Sequence, residues 1–206
     1  MERSVPLFTR PRRDDILLAI GEHDNGWIEE DASPRVDPAT GQIFDFVNSP
    51  APVRQAVWPR GVGRLAANPW AAALVAQHAV TIYDRFRSDA EWAPFFTRME
   101  AMRDTLLRAR GLSLDELLGD YGFVRLADLL SLAFCTGWKD EHRFGGWTVQ
   151  LAGTRVRVTP DAFGGAEIPI AIDAREVPRR TFQSDADLQR ALKSSQRVTL
   201  SGSVGS

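Results

Sequence analysis

Apolar residues recur every three or four positions along the first two thirds of the sequence, which is the spacing of amphipathic helices. Ile16 and Ile20 mark a first helix, which Asp14 or Asp15 caps and Gly26 ends. Two longer stretches, "NPWAAALVAQHAVTIYDRF" and "EWAPFFTRMEAMRDTLLRARG", each predict a further helix. The basic, proline-containing segment before the first helix is predicted to be irregular.

The stretch "SLDELLGDYGFVRLADLLSLAFCTGW" begins with a capping box, in which Ser113 and Glu116 cap a helix reciprocally. Gly119 and Gly122 lower the helix propensity, so we predict a short helix and then a strongly buried one over residues 123–135. Upstream, residues 28–68 are rich in proline and are predicted to form a long loop, with a short helix near residues 53–58.

The apolar period changes to two after Gly145, which indicates strands. The expected fold class is mainly α: a helical body over residues 1–145 is followed by a small C-terminal antiparallel β-sheet and a short helix over residues 146–193. We expect the strands to pack on the helical body of the same domain, and pairing with a second copy in a homodimer is the alternative. Residues 194–206, which end in "SGSVGS", predict a disordered tail.

The composition excludes several classes of function. Hydrophobic residues make up 44% and charged residues 25% of the 206 residues, which is typical of a globular domain with its own core. The formal net charge of -2 argues against general nucleic-acid binding and against an anionic membrane surface. The single cysteine, Cys135, excludes an internal disulfide and a thiolate-rich zinc site. Without a signal-peptide-like start or a long apolar run, we expect a cytoplasmic protein without a membrane partner.

Four polar residues stand where apolar faces are expected. The doublet of His23 and Asp24 follows the first apolar helix, and His78 lies on an apolar line of its own helix. Asp128 has apolar neighbours at almost every helical offset, where an unpaired carboxylate is expensive.

Each of these residues has an ordinary explanation when it is taken alone. A histidine on an apolar face is often bonded to a carbonyl group, and Arg125 or Arg103 could pair with Asp128. Together, however, two imidazoles and two carboxylates on helices are the donor set of a divalent metal site. Neutral imidazole and carboxylate suit Mn²⁺, Fe²⁺ or Zn²⁺, with Mg²⁺ as a further candidate.

The order of these residues resembles the HD-domain superfamily of metal-dependent phosphohydrolases. More closely, "AIGEHDNGW", "NPWAAALVAQHAVTIY", "LADLLSLAFC" and "IDAREVPRRTFQSDADL" resemble an uncharacterised bacterial family, a domain of unknown function with an HD-x-G-W signature. This resemblance covers nearly the whole chain, from Arg12 to Leu192. It implies an HD-domain-like helical body and a metal site that includes His23, Asp24 and Asp128, but it supplies no substrate.

The superfamily pattern also includes a histidine on a helix before the doublet, and this sequence has none before His23. Either His78 takes that ligand position, or the ligand is lost with its helix and the remaining three-residue site binds metal weakly. The first functional hypothesis is an HD-like metal-dependent hydrolase of a small phosphorylated metabolite or nucleotide, with Asp24 and His78 as catalytic residues. The alternative is a degenerate, non-catalytic HD-like module that binds a ligand or has a structural role. A third hypothesis is an HD-type di-iron oxygenase, which usually needs more ligands.

A small phosphorylated ligand also needs cations and a contact surface. The candidate substrate-binding residues are Trp27, Arg54, Arg60 and Arg64. A solvated, solubilising loop is the alternative explanation of the three arginines. Asp31 and Asp45 are candidates for orienting a water or a ligand histidine from behind the metal site.

Overall fold

Six helices come first in residues 7–206, the part of the chain that the computed structural model describes. They are α1 (Arg13–Glu22), α2 (Ile28–Ala32), α3 (Ala51–Arg64), α4 (Pro69–Ile82), α5 (Ala93–Arg108) and α6 (Leu114–Thr136). The strands are β1 (His142–Phe144), β2 (Trp147–Ala152), β3 (Arg155–Thr159), β4 (Ile168–Glu176) and, after helix α7 (Asp185–Ser194), β5 (Gln196–Gly205). The irregular segment predicted before α1 lies partly outside the described residues and includes a 3₁₀ turn, Leu7–Thr9.

Helix α4 is the centre of the helical part. Its residues 70–80 are all buried, and it packs against α1, α3, α5 and α6. A helix that is apolar on all sides is stable only when neighbours cover it completely. The stretch "WAAALVAQ" meets this condition because its alanines let the surrounding helices approach closely. A polar residue on α4 therefore faces another helix whatever its direction.

The end of α1 differs from the prediction. The helix stops at Glu22, and a 3₁₀ turn, Asn25–Trp27, follows it. Gly26 allows this turn to pack closely against α3, because a Cβ atom at this position would lie 2.1 Å from the carbonyl oxygen of Val57. Gly26 is thus needed for a close approach of two backbones, and this approach fixes the doublet of His23 and Asp24 above α3.

The residues predicted as two helices form one continuous helix, α6, so that prediction is wrong. The capping box of Ser113 and Glu116 is confirmed. A Cβ atom at Gly122 would lie 3.6 Å from the Trp147 ring. Glycine in a helix costs about 1 kcal/mol, and packing of β2 against α6 offsets this cost. The first half of α6 packs into the helical core, and the second half covers the sheet.

The predicted fold class is wrong in its sheet. The chain is mainly helical and the small sheet follows the first six helices, but the sheet is mixed rather than antiparallel. Its five strands have the order β1-β2-β3-β5-β4, and β3 and β5 run parallel. The hairpin of β2 and β3 agrees with the prediction. The position of β5 between β3 and β4 could not be inferred from alternating hydrophobicity, because that pattern does not specify strand order.

The predicted disordered tail is instead strand β5, which pairs along its length with β4 and also with β3. Its small residues were interpreted as disorder, but the packing requires them. A Cβ atom at Gly202 would lie 2.1 Å from the Thr154 carbonyl oxygen and 2.5 Å from the Phe134 ring. The predicted short helix is α7, capped by Ser184, although a strand follows it.

Two helices occupy the segment predicted as a long loop over residues 28–68. They are α2 and α3, and α3 extends the short helix expected near residues 53–58. The remaining loop is held by α7, since Asp185 accepts a hydrogen bond from the backbone of Val36 at 2.7 Å. Within residues 7–206, every helix is too short or too polar to cross a membrane.

Candidate functional site

Three separate helices bring two histidines and one aspartate together. His23 is the C-cap residue that follows α1, His78 lies in the buried middle of α4, and Asp128 lies in the second half of α6. One donor atom from each lies within 4.8 Å of the other two. Because α4 is enclosed by its neighbours, the His78 ring meets side chains from three of them: His23 at the end of α1, Trp58 of α3 and Tyr121 of α6.

The distances between these donors are close to those of a metal site. His23 Nε2 lies 3.7 Å from Asp128 Oδ1, and His78 Nε2 lies 3.8 Å from Asp128 Oδ2. Ligands of a tetrahedral zinc ion at about 2.1 Å would be roughly 3.4 Å apart. The two imidazole-to-carboxylate distances exceed this spacing by a few tenths of an ångström, but they end on different oxygens of Asp128. The three donors, which lie within 4.8 Å of one another, would have to contract around a divalent ion.

The second nitrogen of each imidazole has a partner that fixes the ring. His23 Nδ1 lies 2.8 Å from the Ile20 carbonyl oxygen, which can only accept, so Nδ1 carries the proton and donates. His78 Nδ1 lies 3.1 Å from the hydroxyl group of Tyr121. Such partners behind the ring are typical of metal-binding histidines, because they direct the opposite nitrogen to the ion.

His23 Nε2 is the unsatisfied atom of the cluster. It is buried and has no hydrogen-bond partner among residues 7–206, although Asp24 Oδ2 lies 3.2 Å away as an ion-pair partner. Buried polar atoms rarely remain without a partner. An atom of this kind beside a carboxylate and a second imidazole supports the metal interpretation on the chemistry of the donor set.

Burial and charge act differently on the two imidazoles. Burial lowers the pKa of His23, but the carboxylates of Asp128 and Asp24 outweigh it and raise that pKa to about 10. Burial of the fully enclosed His78 prevails over the nearby Asp128 and lowers its pKa to about 4. Burial also disfavours the ionised form of Asp128, but His23 and the charges around it lower its pKa below the ordinary value. At neutral pH the metal-free cluster thus holds a protonated His23 and a neutral His78.

Arg125 completes the cluster. Its guanidinium donates to Asp128 Oδ2 across one turn of α6, as the ordinary explanation of a buried aspartate requires. Arg103, the other arginine considered, instead donates to Gln77 at 2.8 Å and pairs with Asp104. Asp128 is therefore paired with an arginine, and two imidazoles lie within 4 Å of its carboxylate without a hydrogen bond to it.

A cavity of about 600 Å³ opens above these residues, and both His78 and Asp128 line it. This is the volume of a small-molecule site. Its aromatic lining residues are Trp27, Phe44, Phe46, Trp58, Tyr83 and Trp138. Asp31 also lines it, with a pKa raised by burial and by the carboxylates of Asp24 and Glu30.

The structure separates the predicted substrate-binding residues into two groups. Trp27 lines the cavity, as do Asp24, Asp31 and Asp45. The three arginines of α3 are absent from its lining. Arg60 and Arg64 pair with Glu29 on α2, and Arg54 lies over the aromatic rings of Tyr83, Phe86 and Trp92.

Asp45 has a local role that the sequence does not reveal. Its carboxylate accepts hydrogen bonds from the backbone of Val47 and Asn48 at 2.7 and 2.8 Å. It thereby shapes the loop that forms one wall of the cavity. Its predicted role in orienting a water remains a prediction.

Two residues of the site were missed as functional candidates. Tyr121 precedes Asp128 by seven positions and Arg125 precedes it by three, and both spacings place side chains on one face of a helix. This spacing was available in the sequence as a signal for Tyr121. The contact of Tyr121 with His78 depends on how α4 and α6 cross, which the spacing does not specify.

The comparisons with known proteins provide a family but no characterised relative. No curated protein and no solved structure matches the chain significantly. The matching family model is described as a protein of unknown function, DUF3891, and it covers residues 5–179. Because this match includes the greater part of the sequence, the chain belongs to the DUF3891 family.

Proposed function

We propose that the protein binds one divalent metal ion through His23, His78 and Asp128 and hydrolyses a small phosphorylated compound in the cavity above it. The observation that carries this proposal is the convergence of three donor atoms within 4.8 Å at an open cavity. The partners of the two Nδ1 atoms support it, because they leave each Nε2 directed at the cluster. The HD-like resemblance of "HDNGW" implies the same class of activity.

The residues of the cavity divide the chemistry between them. A bound divalent ion polarises a phosphoryl oxygen and lowers the pKa of a bound water. Asp24, which lines the cavity beside His23 and whose side chain is 62% exposed, would accept a proton from the attacking water. Arg125 supplies a guanidinium for the phosphoryl oxygens. The aromatic walls exclude bulk water and so strengthen these charge interactions.

Metal binding is the first test of this proposal. We expect isothermal titration calorimetry to find about one Mn²⁺ per chain, and His23→Ala to abolish that binding. His142→Ala is the matched control, because His142 begins β1 and lies outside the donor cluster. Equal Mn²⁺ binding by the wild type and His23→Ala would refute the metal site.

The reaction is tested separately on the Mn²⁺-loaded protein. A panel of phosphomonoesters, nucleotides and cyclic nucleotides should include at least one compound that is hydrolysed by the wild type and not by Asp24→Asn. If no compound is hydrolysed at full metal occupancy, the site binds metal but the hydrolase proposal is wrong.

A non-catalytic module that binds a small ligand is the second candidate. One observation favours it: the pairs of Asp128 with Arg125 and of Asp24 with the protonated His23 balance the cluster without a metal. This candidate expects no change in Mn²⁺ binding on substitution of His23. We do not propose the di-iron oxygenase, because two iron ions need more ligands than the three donors that converge within residues 7–206.

A further inference from the structure

We propose that Arg125 is exchanged between two partners: it holds Asp128 in the metal-free protein, and it binds an oxyanion in the cavity once metal occupies the cluster. Metal and oxyanion then bind with positive cooperativity. This inference rests on the proposed metal site and adds its order of binding.

The exchange follows from the single carboxylate oxygen that two groups share. Arg125 donates to Asp128 Oδ2, and the same oxygen is the one that lies 3.8 Å from His78 Nε2. An ion bound between His78 and Asp128 would stand directly beside the guanidinium. A divalent ion and a guanidinium beside the same oxygen would repel each other, so metal binding there weakens the pair of Arg125 with Asp128. Arg125 therefore releases Asp128 when metal binds there.

Once it is released from Asp128, the Arg125 guanidinium can turn towards the cavity. Arg125 lines the cavity, and its side chain is 23% exposed. The Phe144 ring lies on another side, 5.9 Å from the guanidinium carbon. A planar guanidinium turned towards the cavity presents paired donors, which suit a phosphate or phosphonate group.

The charges of the cavity set the order of the two events. The carboxylates that line it are Asp24, Glu30, Asp31, Asp45 and Asp128, and the guanidiniums are Arg35, Arg85 and Arg125. Arg35 is already paired with Glu30. A cavity with more carboxylates than guanidiniums attracts a divalent cation and repels an anion. An oxyanion therefore binds well only after the metal has changed this balance and freed Arg125.

Substitution of Arg125 gives the most discriminating test. Arg125→Gln removes the competitor for Asp128, so we expect it to bind Mn²⁺ about tenfold more tightly than the wild type. In the wild type, Mn²⁺ should tighten the binding of methylphosphonate about tenfold, within the usual range of coupling between two sites. That coupling should be lost in Arg125→Gln. Both affinities are measured by calorimetry at one pH, without any assay of activity.

Two further variants keep the test decisive. Arg85→Gln, which removes another guanidinium from the cavity wall, should change Mn²⁺ affinity far less than Arg125→Gln does, because the guanidinium paired with Asp128 is that of Arg125. If Arg125→Gln fails to fold, Arg125→Lys retains a charge but not the planar fork; it should bind Mn²⁺ as the wild type does and show weaker coupling.

Each result decides between the exchange and its premise. Arg125→Gln that binds Mn²⁺ no more tightly than the wild type would overturn the exchange while leaving the metal site intact. The same holds if methylphosphonate binds the metal-free and loaded proteins equally. Absence of Mn²⁺ binding to the wild type would overturn both the exchange and the proposed metal site.

Discussion

Helix α6 carries two buried aspartates eight residues apart, and their surroundings are opposite in kind. Asp120 is 2% exposed and Asp128 is 6% exposed, so each carboxylate has lost most of its contact with water. An ionised carboxylate in this position must be compensated by hydrogen bonds or opposite charges. The two sites differ in how completely this requirement is met.

The Asp120 carboxylate is saturated. It accepts hydrogen bonds from Arg10 at 3.0 Å, from Arg12 at 3.2 Å and from the Trp70 indole at 3.1 Å. The Arg12 guanidinium also lies over the Trp70 ring, 4.2 Å from its centre. These contacts tie the segment before α1 to α4 and α6. The site has the properties of a structural anchor.

The Asp128 carboxylate is open by comparison. In the described part of the chain, Arg125 alone donates a hydrogen bond to it, and both imidazoles lie beyond hydrogen-bonding distance. A cavity adjoins Asp128. The difference teaches that burial of an aspartate is not by itself a functional signal. The signal is a buried carboxylate with unfilled positions that face a cavity and two imidazoles that could share a metal ion with it.

The largest expected contrast is in stability. Asp120→Asn leaves two guanidiniums without their carboxylate, so it should lower the free energy of unfolding by about 3 kcal/mol. Asp128→Asn should lower it by less than about 1 kcal/mol, because Arg125 can turn to the cavity and His23 can release its proton. Urea denaturation of both variants without metal measures the two values.

Metal binding should show the reverse order for the same two variants. Asp120→Asn should bind Mn²⁺ as the wild type does, and Asp128→Asn should not bind it. If Asp128→Asn is the less stable variant and Mn²⁺ affinity is equal in both, Asp128 is an anchor of the same kind as Asp120.

The sequence predicted the donors of the site better than their surroundings. His78 and Asp128 could be found because a polar residue on an apolar helix face is unexpected whatever the helix packs against. Arg60 and Arg64 precede α4 in sequence, but their side chains pair with Glu29 on α2. Proximity along the chain does not determine which side of α3 faces the cavity.

The fold shows the same limit. The apolar period indicated α1, α4 and α5, but α2 and most of α3 lie in the segment predicted as a loop. Helix α6 was divided at its glycines because the Trp147 ring that packs near Gly122 comes from a distant strand. The small residues of β5 were interpreted as disorder for a similar reason. These small residues leave room for other groups to pack closely against β5, and those groups come from distant parts of the sequence.

The two histidines of the Asp128 cluster should make stability depend on pH on both sides of 6.5. The pKa of His78 is lowered to about 4 in the folded protein. Below pH 6.5 the unfolded chain therefore binds a proton at His78 that the folded protein does not bind until the pH approaches 4. Stability should therefore fall by about 2 kcal/mol between pH 6.5 and pH 5. The pKa of His23 is raised to about 10, so its contribution is complete below pH 6.5 and should decrease by a similar amount towards pH 8.

Each flank of this profile has its own control variant. Urea denaturation of the metal-free protein at pH 5, 6.5 and 8 should give a maximum near pH 6.5. His78→Asn should flatten the acid side and His23→Asn the alkaline side. A stability that rises steadily from pH 5 to pH 8 in the wild type would contradict both assignments.

The smallest expected effect concerns the donors behind the two sites. Tyr121 follows Asp120 in sequence, yet its hydroxyl group belongs to the Asp128 cluster through His78 Nδ1. Tyr121→Phe removes that partner with little change in volume, so we expect Mn²⁺ to bind about tenfold more weakly. Calorimetry gives the affinity, and the NMR signals of the His78 ring report its orientation directly.

Trp70→Phe is the matched variant, because it removes the indole donor from Asp120 instead. It should lower the free energy of unfolding by about 1 kcal/mol and leave Mn²⁺ affinity unchanged. Unchanged Mn²⁺ affinity in Tyr121→Phe would mean that the tyrosine does not orient a ligand. The hydroxyl group would then be a second structural contact of α6, and the difference between its two halves would rest on Asp128 and Arg125 alone.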